Sequence, residues 1–272
     1  MKRTALFLLL SLVPVLTSTG CLRRADDGLT SSEVAQASEE LETASTSQAM
    51  VAQTVEITTN FTIGEAVQTA AQRLRDFYVS QWACADVQLS GSTLTVQYGA
   101  HGSCPFNGYQ SITGTHQVTI TKNDTGEVIV DHVWTNLSNG VVELDGTAHV
   151  TWSSADKSRH VQHDLTWTKL ATQKTWHGTG DRVQKPLDGN ILVGFTETGD
   201  RSWTDAQGRN WALAIDNLEM RWQDPVPQAG SLTLDTPFDK TVTVTFSRVD
   251  ANTIHIEFEA PKGSIGINVN SP

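Results

Sequence analysis

From Val87 onward, apolar and polar residues alternate, and this alternation constrains the fold more than any other feature of the sequence. The runs Val142–Trp152 and Ile254–Glu259 are the clearest examples. Successive side chains of a β-strand point to opposite faces, so such runs predict strands with one packed face and one wet face. Turn signals such as Asn139-Gly140 and Asp188-Gly189 separate the runs and favour short hairpins. The sequence therefore predicts a mainly β fold of roughly a dozen strands, an antiparallel meander forming a large curved sheet or two stacked sheets.

One of these runs changes phase in the middle. Its apolar residues have odd numbers from Trp211 to Ile215, whereas those from Leu218 onward have even numbers. A strand that keeps the same face buried through such a change needs one extra residue. We therefore predict a β-bulge near Asp216-Asn217.

One N-terminal amphipathic helix is predicted before the strands, between residues 62 and 81. Thr62-Ile63-Gly64-Glu65 has the form of a capping box, in which the two polar side chains satisfy free amides at a helix start. Apolar residues then recur at three- and four-residue steps: Ile63, Val67, Ala70, Leu74 and Phe77. The helix is expected to end near Gln81.

The first twenty residues have the three zones of a secretion signal. Lys2 and Arg3 are basic, Ala5–Leu16 is largely apolar, and small residues precede Cys21. A cysteine at this place resembles a lipobox, which predicts cleavage before Cys21 and lipid attachment to it. Cleavage after Gly20 by ordinary signal peptidase is the alternative, because Ser18 stands where a lipobox usually has leucine. Leu22, rather than aspartate, follows the cysteine and favours the outer membrane.

The next segment has the composition of a tether. Residues 21–53 contain mostly Ser, Thr, Glu, Gln and Ala, which bury too little apolar surface to offset the entropy of ordering. A lipidated Cys21 with a flexible polar tether is therefore predicted, followed by a β-rich domain over 54–270. The sequence leaves open whether that domain is single or divided into subdomains 54–180 and 190–260.

Charge and cysteine content narrow the classes of partner. The formal net charge of −11 opposes binding to nucleic acid or to anionic lipid headgroups. If Cys21 carries lipid, Cys84 and Cys104 remain, and in an oxidising compartment they are expected to form a disulfide. The alternative is a pair of buried free thiols. Closing a loop of this size would stabilise the fold by about 3 kcal/mol.

The segments around the two cysteines resemble a family of exported, β-rich bacterial lipoproteins with a two-cysteine hairpin. The resemblance lies in Cys84-Ala-Asp-Val87, Leu94–Gly99, Cys104–Gly108 and Ser111–Gly114, and later in Leu144–Thr147 and Ala229–Leu234. It implies a secreted β domain and no known reaction. The high tryptophan content of this chain departs from the family pattern.

No catalytic or metal-binding motif stands out, and no cofactor is predicted. His160-Val161-Gln162-His163 has a metal-ligand spacing, but in a strand its two rings point to opposite faces, and His163 is expected in the core. Asp200 and Asp205 are expected in turns rather than in a calcium loop. There is no Gly-x-Ser-x-Gly elbow for a nucleophile.

Eight tryptophans are the one compositional oddity. They favour core packing and cross-strand pairs, although an exposed tryptophan could stack on a sugar or bind an apolar ligand. Trp203 has charged neighbours in the sequence, Arg201 and Asp205, and is the candidate for such an exposed ligand-binding residue.

Three functions remain. The favoured one is a lipid-anchored, non-enzymatic binding or structural module of the cell envelope, with an envelope protein or polysaccharide as partner. The second is a periplasmic carrier of lipid or other apolar ligands, by analogy with a helix laid against a curved sheet. The third is an enzyme acting on glycans, for which two carboxylates at a suitable separation would be needed.

Overall fold

Strands account for most of the chain, as the alternation predicts. The structure, a computed structural model, describes residues 29–62, 66–105, 111–189, 193–221, 223–260 and 263–271. The strands are β1 (Asp86–Ser90), β2 (Thr93–Tyr98), β3 (Thr113–Lys122), β4 (Val128–Ser138), β5 (Val142–Ser153), β6 (Ser158–Lys169), β7 (Lys174–Pro186), β8 (Gly194–Thr204), β9 (Asn210–Arg221), β10 (Ala229–Thr236), β11 (Lys240–Asp250), β12 (Thr253–Ala260) and β13 (Gly263–Asn270). The helices are α1 (Ser31–Thr62) and α2 (Val67–Gln81), with a 3₁₀ turn at Leu187–Gly189.

The strands form an antiparallel meander in which sheet order is sequence order. This confirms the predicted mainly β meander. The chain divides into two units: among the described residues, unit 1 comprises 46–185, and unit 2 comprises 29–45 and 186–271.

In unit 1, one face of the strands is packed and the other is wet. The packed face carries alternating apolar residues on five neighbouring strands, among them Leu94, Val118, Val130, Leu144 and Val161. Direct cross-strand pairs such as Val150 with Val161 align these residues. Helix α2 packs against β1, β2 and β3 through Ala70, Leu74 and Tyr78.

In unit 2, a separate apolar cluster lies against strands β8 to β13. Its buried members are Phe195, Ile215, Leu218, Met220, Val226, Leu232, Phe246, Ile254 and Ile256. Partly buried side chains on the last strand, Ile267 and Val269, pack against its margin.

The predicted bulge is present in β9. Asn217 has φ of +46°, and the pairing of β9 shifts register against both β8 and β10 near this residue. Ile215 and Leu218 are consequently both buried. On β10, a Cβ at Gly230 would lie 2.3 Å from the Asn217 carbonyl oxygen, so only glycine fits beside the bulge. A similar bulge at Asn136 of β4, where pairing to β3 and β5 shifts, was not predicted.

Helix α2 agrees with the predicted helix at its end but not at its start. It ends at Gln81, as expected, and begins at Val67, with Ala66 as an N-cap that makes no side-chain hydrogen bond. Residues 63–65 of the predicted capping box lie outside the described residues. Tyr78 is fully buried, whereas Phe77, placed on the buried stripe by the sequence analysis, is half-buried.

The prediction of a flexible tether over 21–53 is wrong for the part that the structure describes. Residues 31–62 form helix α1, and Met50, Val51 and Val55 of this helix are buried. The sequence argument missed α1 because polar side chains occupy much of its buried side; Ser47 and Thr54 are fully buried. Thr54 donates its hydroxyl hydrogen to the Val51 carbonyl oxygen at 2.8 Å, so its burial does not carry the cost of an unpaired polar group.

Candidate functional site

The two histidines of the H-x-x-H sequence lie on opposite faces of β6, as predicted. His163 is buried, and its Nε2 lies 2.9 Å from the Gln48 amide nitrogen of α1. Gly180 makes room for this ring, because a Cβ there would lie 2.3 Å from His163 Cε1. His160, on the other face, pairs with Asp181.

Two buried imidazoles, those of His116 and His132, contact each other under α1 in unit 1. Thr58 donates its hydroxyl hydrogen to the Val55 carbonyl oxygen at 2.8 Å, so Thr58 Oγ1 can only accept from His132 Nε2, 3.4 Å away. His132 Nδ1 is then the acceptor for His116 Nε2 at 2.9 Å. His132 is therefore neutral. Burial lowers the pKa of His116 to about 3, and burial together with nearby His116 and Arg159 lowers that of His132.

A buried arginine also contacts the part of α1 that belongs to unit 1. The Arg159 guanidinium donates to Gln184 Oε1 through Nε at 2.8 Å and forms an ion pair with Glu56 at 2.8 Å. The helix-covered face of unit 1 is thus lined by imidazole and guanidinium groups as well as apolar side chains.

Trp203 is buried rather than exposed. Only 5% of its surface is accessible, and its Nε1 donates to Glu40 of α1 at 3.3 Å. Its ring lies parallel to that of Trp211, with centroids 6.2 Å apart. The expectation of an exposed ligand-binding tryptophan is therefore wrong, since in this structure α1 contacts the polar edge that a ligand would need.

Asp205 is a turn residue, as expected. Its carboxylate accepts hydrogen bonds from the Gln207 and Arg209 amides at 2.9 Å each and from Trp211 Nε1 at 3.1 Å. Burial alone would raise the pKa of Asp205, but these bonds and the Arg209 guanidinium outweigh it and lower the pKa. The carboxylate oxygens are engaged by protein donors, so the turn is not built as a calcium loop.

The other tryptophans support core packing. Four more are almost fully buried: Trp134, Trp167, Trp176 and Trp211. Trp167 and Trp176 form a direct cross-strand pair between β6 and β7. Trp222 lies outside the described residues.

The two cysteines predicted to pair do so. Cys84 and Cys104 form a disulfide with Cα atoms 5.2 Å apart, which links the segment after α2 to the loop after β2. Cys21 and the leader lie outside the described residues. No described helix has a stretch apolar and long enough to cross a bilayer. Within the described ranges, no three His, Cys, Asp or Glu side chains converge to hold a metal ion.

The wet face of unit 1 carries an organised set of polar side chains, which we call the outer platform. Direct strand pairing places Asp131, His149, Gln162 and Asp181 in one row across β4 to β7. Asp131 pairs with His149 at 2.7 Å, and Gln162 donates to Asp181 at 2.8 Å. The platform comprises Asp131, His149, His160, Gln162, Asp164, His177 and Asp181.

Hydrogen bonds hold each imidazole of the outer platform against a carboxylate. His160 contacts Asp181, and His177 lies 2.8 Å from Asp164. Burial alone would raise the pKa of Asp181, but the bonds from Gln162 and His160 outweigh it and lower the pKa. The platform is therefore an acidic, hydrogen-bonding surface whose side chains are oriented before any partner arrives.

One part of the outer platform has the connectivity of an acid–base triad. The Thr151 hydroxyl lies 3.3 Å from His149 Nε2, and His149 Nδ1 lies 2.7 Å from Asp131. His149 and Asp131 are both almost half exposed. Water therefore screens the carboxylate from the imidazole, unlike in a buried triad.

The outer platform was not predicted from the sequence, because its residues lie on four different strands. The signal available was that His149, His160 and His177 all fall on polar positions of alternating runs, as do their aspartates. Strand register, which the sequence alone does not supply, was needed to bring them together.

Comparisons with known protein families, curated proteins and solved structures find no significant match to this chain. The resemblance to exported two-cysteine lipoproteins stays a prediction.

Proposed function

We propose that this chain is an exported, lipid-anchored protein of the cell envelope, and that it works as a non-enzymatic binding module through its outer platform. Support for export and anchoring comes from the leader-like residues 1–20, from Cys21 after small residues, and from a disulfide that suits an oxidising compartment. The outer membrane is the proposed location.

The observation that carries the binding proposal is the cross-strand row Asp131, His149, Gln162 and Asp181 on the wet face. Side chains already held by hydrogen bonds lose little conformational freedom when a partner binds. The surface offers carboxylate acceptors beside imidazoles, so a partner must supply hydrogen-bond donors. Basic segments of an envelope protein or hydroxyl groups of a polysaccharide meet this requirement.

A variant that removes charge without changing shape tests the binding proposal. We expect D164N/D181N to lose at least about tenfold in affinity, because a hydrogen bond to a charged group contributes about 1.5–3 kcal/mol. The measurements are capture of partners from intact cells and a glycan array. D156N/D235N, with the same charge change outside the platform, is the matched control. Unchanged binding by D164N/D181N, or no envelope partner or glycan for the native chain, would contradict the proposal.

Anchoring is tested separately by fatty-acid labelling in growing cells. We expect label on the native chain, and none on C21S, with the variant released from the membrane fraction. Cleavage after Gly20 with an unmodified Cys21 would show that the signal-peptidase alternative is correct.

The carrier function has less support. An apolar ligand against the helix-covered face of unit 1 would meet His132, His163 and Arg159, which are costly to leave without hydrogen bonds. We expect native mass spectrometry to give the mass of the chain alone. Lipid that copurifies in a fixed ratio would favour the carrier.

A hydrolytic enzyme is the second candidate, and the Thr151–His149–Asp131 connectivity favours it. The exposure of this set makes binding the function that the geometry supports better. Hydrolysis of activated esters or acetylated sugars by the native chain, abolished in both T151V and H149Q, would establish the enzyme. If the native chain hydrolyses these substrates no faster than T151V does, the enzyme candidate is ruled out.

A further inference from the structure

The last strand, β13, has an edge that no other strand covers among the described residues. It pairs with β12 along its whole eight-residue length, from Gly263 to Asn270, and is the last strand in the sheet order. An open edge presents free backbone N–H and C=O groups that can pair with another strand. We call this the β13 edge.

The β13 edge lacks the devices that usually block such pairing. Its sequence, Gly-Ser-Ile-Gly-Ile-Asn-Val-Asn, contains no charged residue and no proline. The opposite end of the meander differs: β1 has five residues, carries Asp86, and has α2 packed against it. Charge, length and cover thus protect β1 but not β13.

The apolar residues of β13 lie on the side of the unit 2 cluster. Ile267 pairs with buried Ile256, and Val269 with buried Ile254, and both pack against the margin of the cluster. Ile265 remains 50% exposed. A further strand on this edge would continue the apolar layer over side chains that now face water, which is a favourable burial.

The sequence of β13 is complementary to itself in antiparallel register. About a two-fold axis through Ile267, Ile267 faces its own copy and Ile265 faces Val269 on the apolar side. On the other side, Gly266 faces Asn268 and Ser264 faces Asn270. Isologous pairing of one surface patch with itself is the usual basis of a symmetric dimer.

Electrostatics also favour this edge over the rest of the surface. The chain carries a formal charge of −11, so two copies repel, and an uncharged strand is where close approach costs least. The neighbouring strand β12 carries Glu257 and Glu259, and Asp224, which contacts Ser271 just after β13, is paired with Arg248. Across a paired edge, equivalent β12 residues would be about 14 Å apart, beyond the Debye length at physiological salt.

We infer that the β13 edge is a homodimer interface, in which β13 of two copies pair antiparallel about Ile267. The inference is independent of the proposed binding function. Pairing joins the two unit 2 apolar clusters across the dimer axis.

Charge placement at one cross-strand pair tests both the dimer and its register. Ser264 of each copy is exposed and faces exposed Asn270 of the other copy across the axis. In a dimer of S264K/N270K, a lysine therefore faces a lysine at both of these symmetric pairs. S264K/N270E instead sets opposite charges face to face. We expect the full native chain and S264K/N270E to sediment as dimers, and S264K/N270K to dimerise at least tenfold more weakly.

The control is V79K/V141K, which adds the same charge at exposed positions of unit 1. It is expected to dimerise like the native chain, and circular dichroism of all variants checks folding. A native chain that stays monomeric up to about 1 mM, where an association of about 4 kcal/mol would be visible, overturns the inference. Equal dimerisation by S264K/N270K, or failure of S264K/N270E to dimerise, overturns it as well.

Discussion

The two stretches of helix α1 are held by different chemistry. Residues 46–58, in unit 1, bury Met50, Val51 and Val55 and make their polar contacts to buried groups such as His163. Residues 31–45, in unit 2, bury a single apolar side chain among those described, Ala37, and depend more on polar contacts: Glu33 pairs with Lys240 at 2.9 Å, and Gln36 accepts from Arg209 at 2.9 Å.

A single helix can thus be held by apolar burial over part of its length and chiefly by polar contacts over the rest. Burial and hydrogen bonds between neutral groups in the first stretch depend little on salt, whereas the partly exposed Glu33–Lys240 ion pair in the second is screened by it. Because the first stretch depends on neutral imidazoles, it is also the part that acid should loosen.

The largest effect is expected from a charge in the buried stretch. V51D places a carboxylate at a position with 0% exposure, and we expect it to lower the free energy of unfolding by about 4 kcal/mol or more. V34D makes the same change in the other stretch, where Val34 is 40% exposed, and should cost little. Denaturant unfolding of both variants measures the contrast; equal losses would contradict it.

The next largest loss of stability is expected from a decrease in pH. His116 has a folded pKa of about 3, and the pKa of His132 is also lowered, so both are neutral in the folded chain but take up protons near pH 6.5 when unfolded. Protons therefore favour the unfolded chain, and stability falls as pH drops from about 6.5 towards 3. Each histidine should contribute about 1.4 kcal/mol per pH unit in this window.

Unfolding free energies between pH 7 and 5 test this expectation, because most carboxylates stay ionised there. In H116N, the unfolding free energy should fall less steeply with decreasing pH, by the contribution of one histidine proton. If the unfolding free energy of the native chain does not change between pH 7 and 5, the imidazoles are not neutral and buried in the folded chain.

A smaller loss is expected when the ion pair between Glu56 and the buried Arg159 of unit 1 is broken. E56Q removes the carboxylate that contacts Arg159, and we expect a loss of about 2 kcal/mol that persists at high salt. The measurement is denaturant unfolding at low and high ionic strength. A loss that vanishes in salt would place this pair with the surface contacts instead.

The smallest effect is expected at the other end of α1. E33Q removes the surface pair with Lys240 and should loosen the first turn of α1 at low salt, with no difference from the native chain at high salt. Hydrogen exchange of amides near Glu33 is the measurement. Faster exchange that persists at high salt would indicate a buried role.

Sequence alone gives the strands well and the polar contacts poorly. Alternation locates β12 and β5, and the parity change after Ile215 locates the bulge at Asn217, because burial of one strand face is a local property. The edge strand β13 was not predicted, because glycine and asparagine fill most of its polar positions. Its alternating Ile265, Ile267 and Val269 were the usable signal.

Helix α1 and the outer platform depend on partners far away in the sequence. Gln48 lies in the predicted tether, and only the fold shows that it contacts His163 of β6. Trp203 is likewise expected to be exposed, whereas its ring edge donates to Glu40 of α1. Local pattern carries no information on such pairings.

Hydrogen exchange of the α1 amides tests most directly whether this helix is part of the folded domain. The account predicts that residues 47–58 exchange as slowly as the central strands of unit 1, such as β5, because their release requires the buried contacts to open. Exchange of these amides at the rate of an unstructured peptide, with β5 still protected, would contradict it and restore the flexible tether.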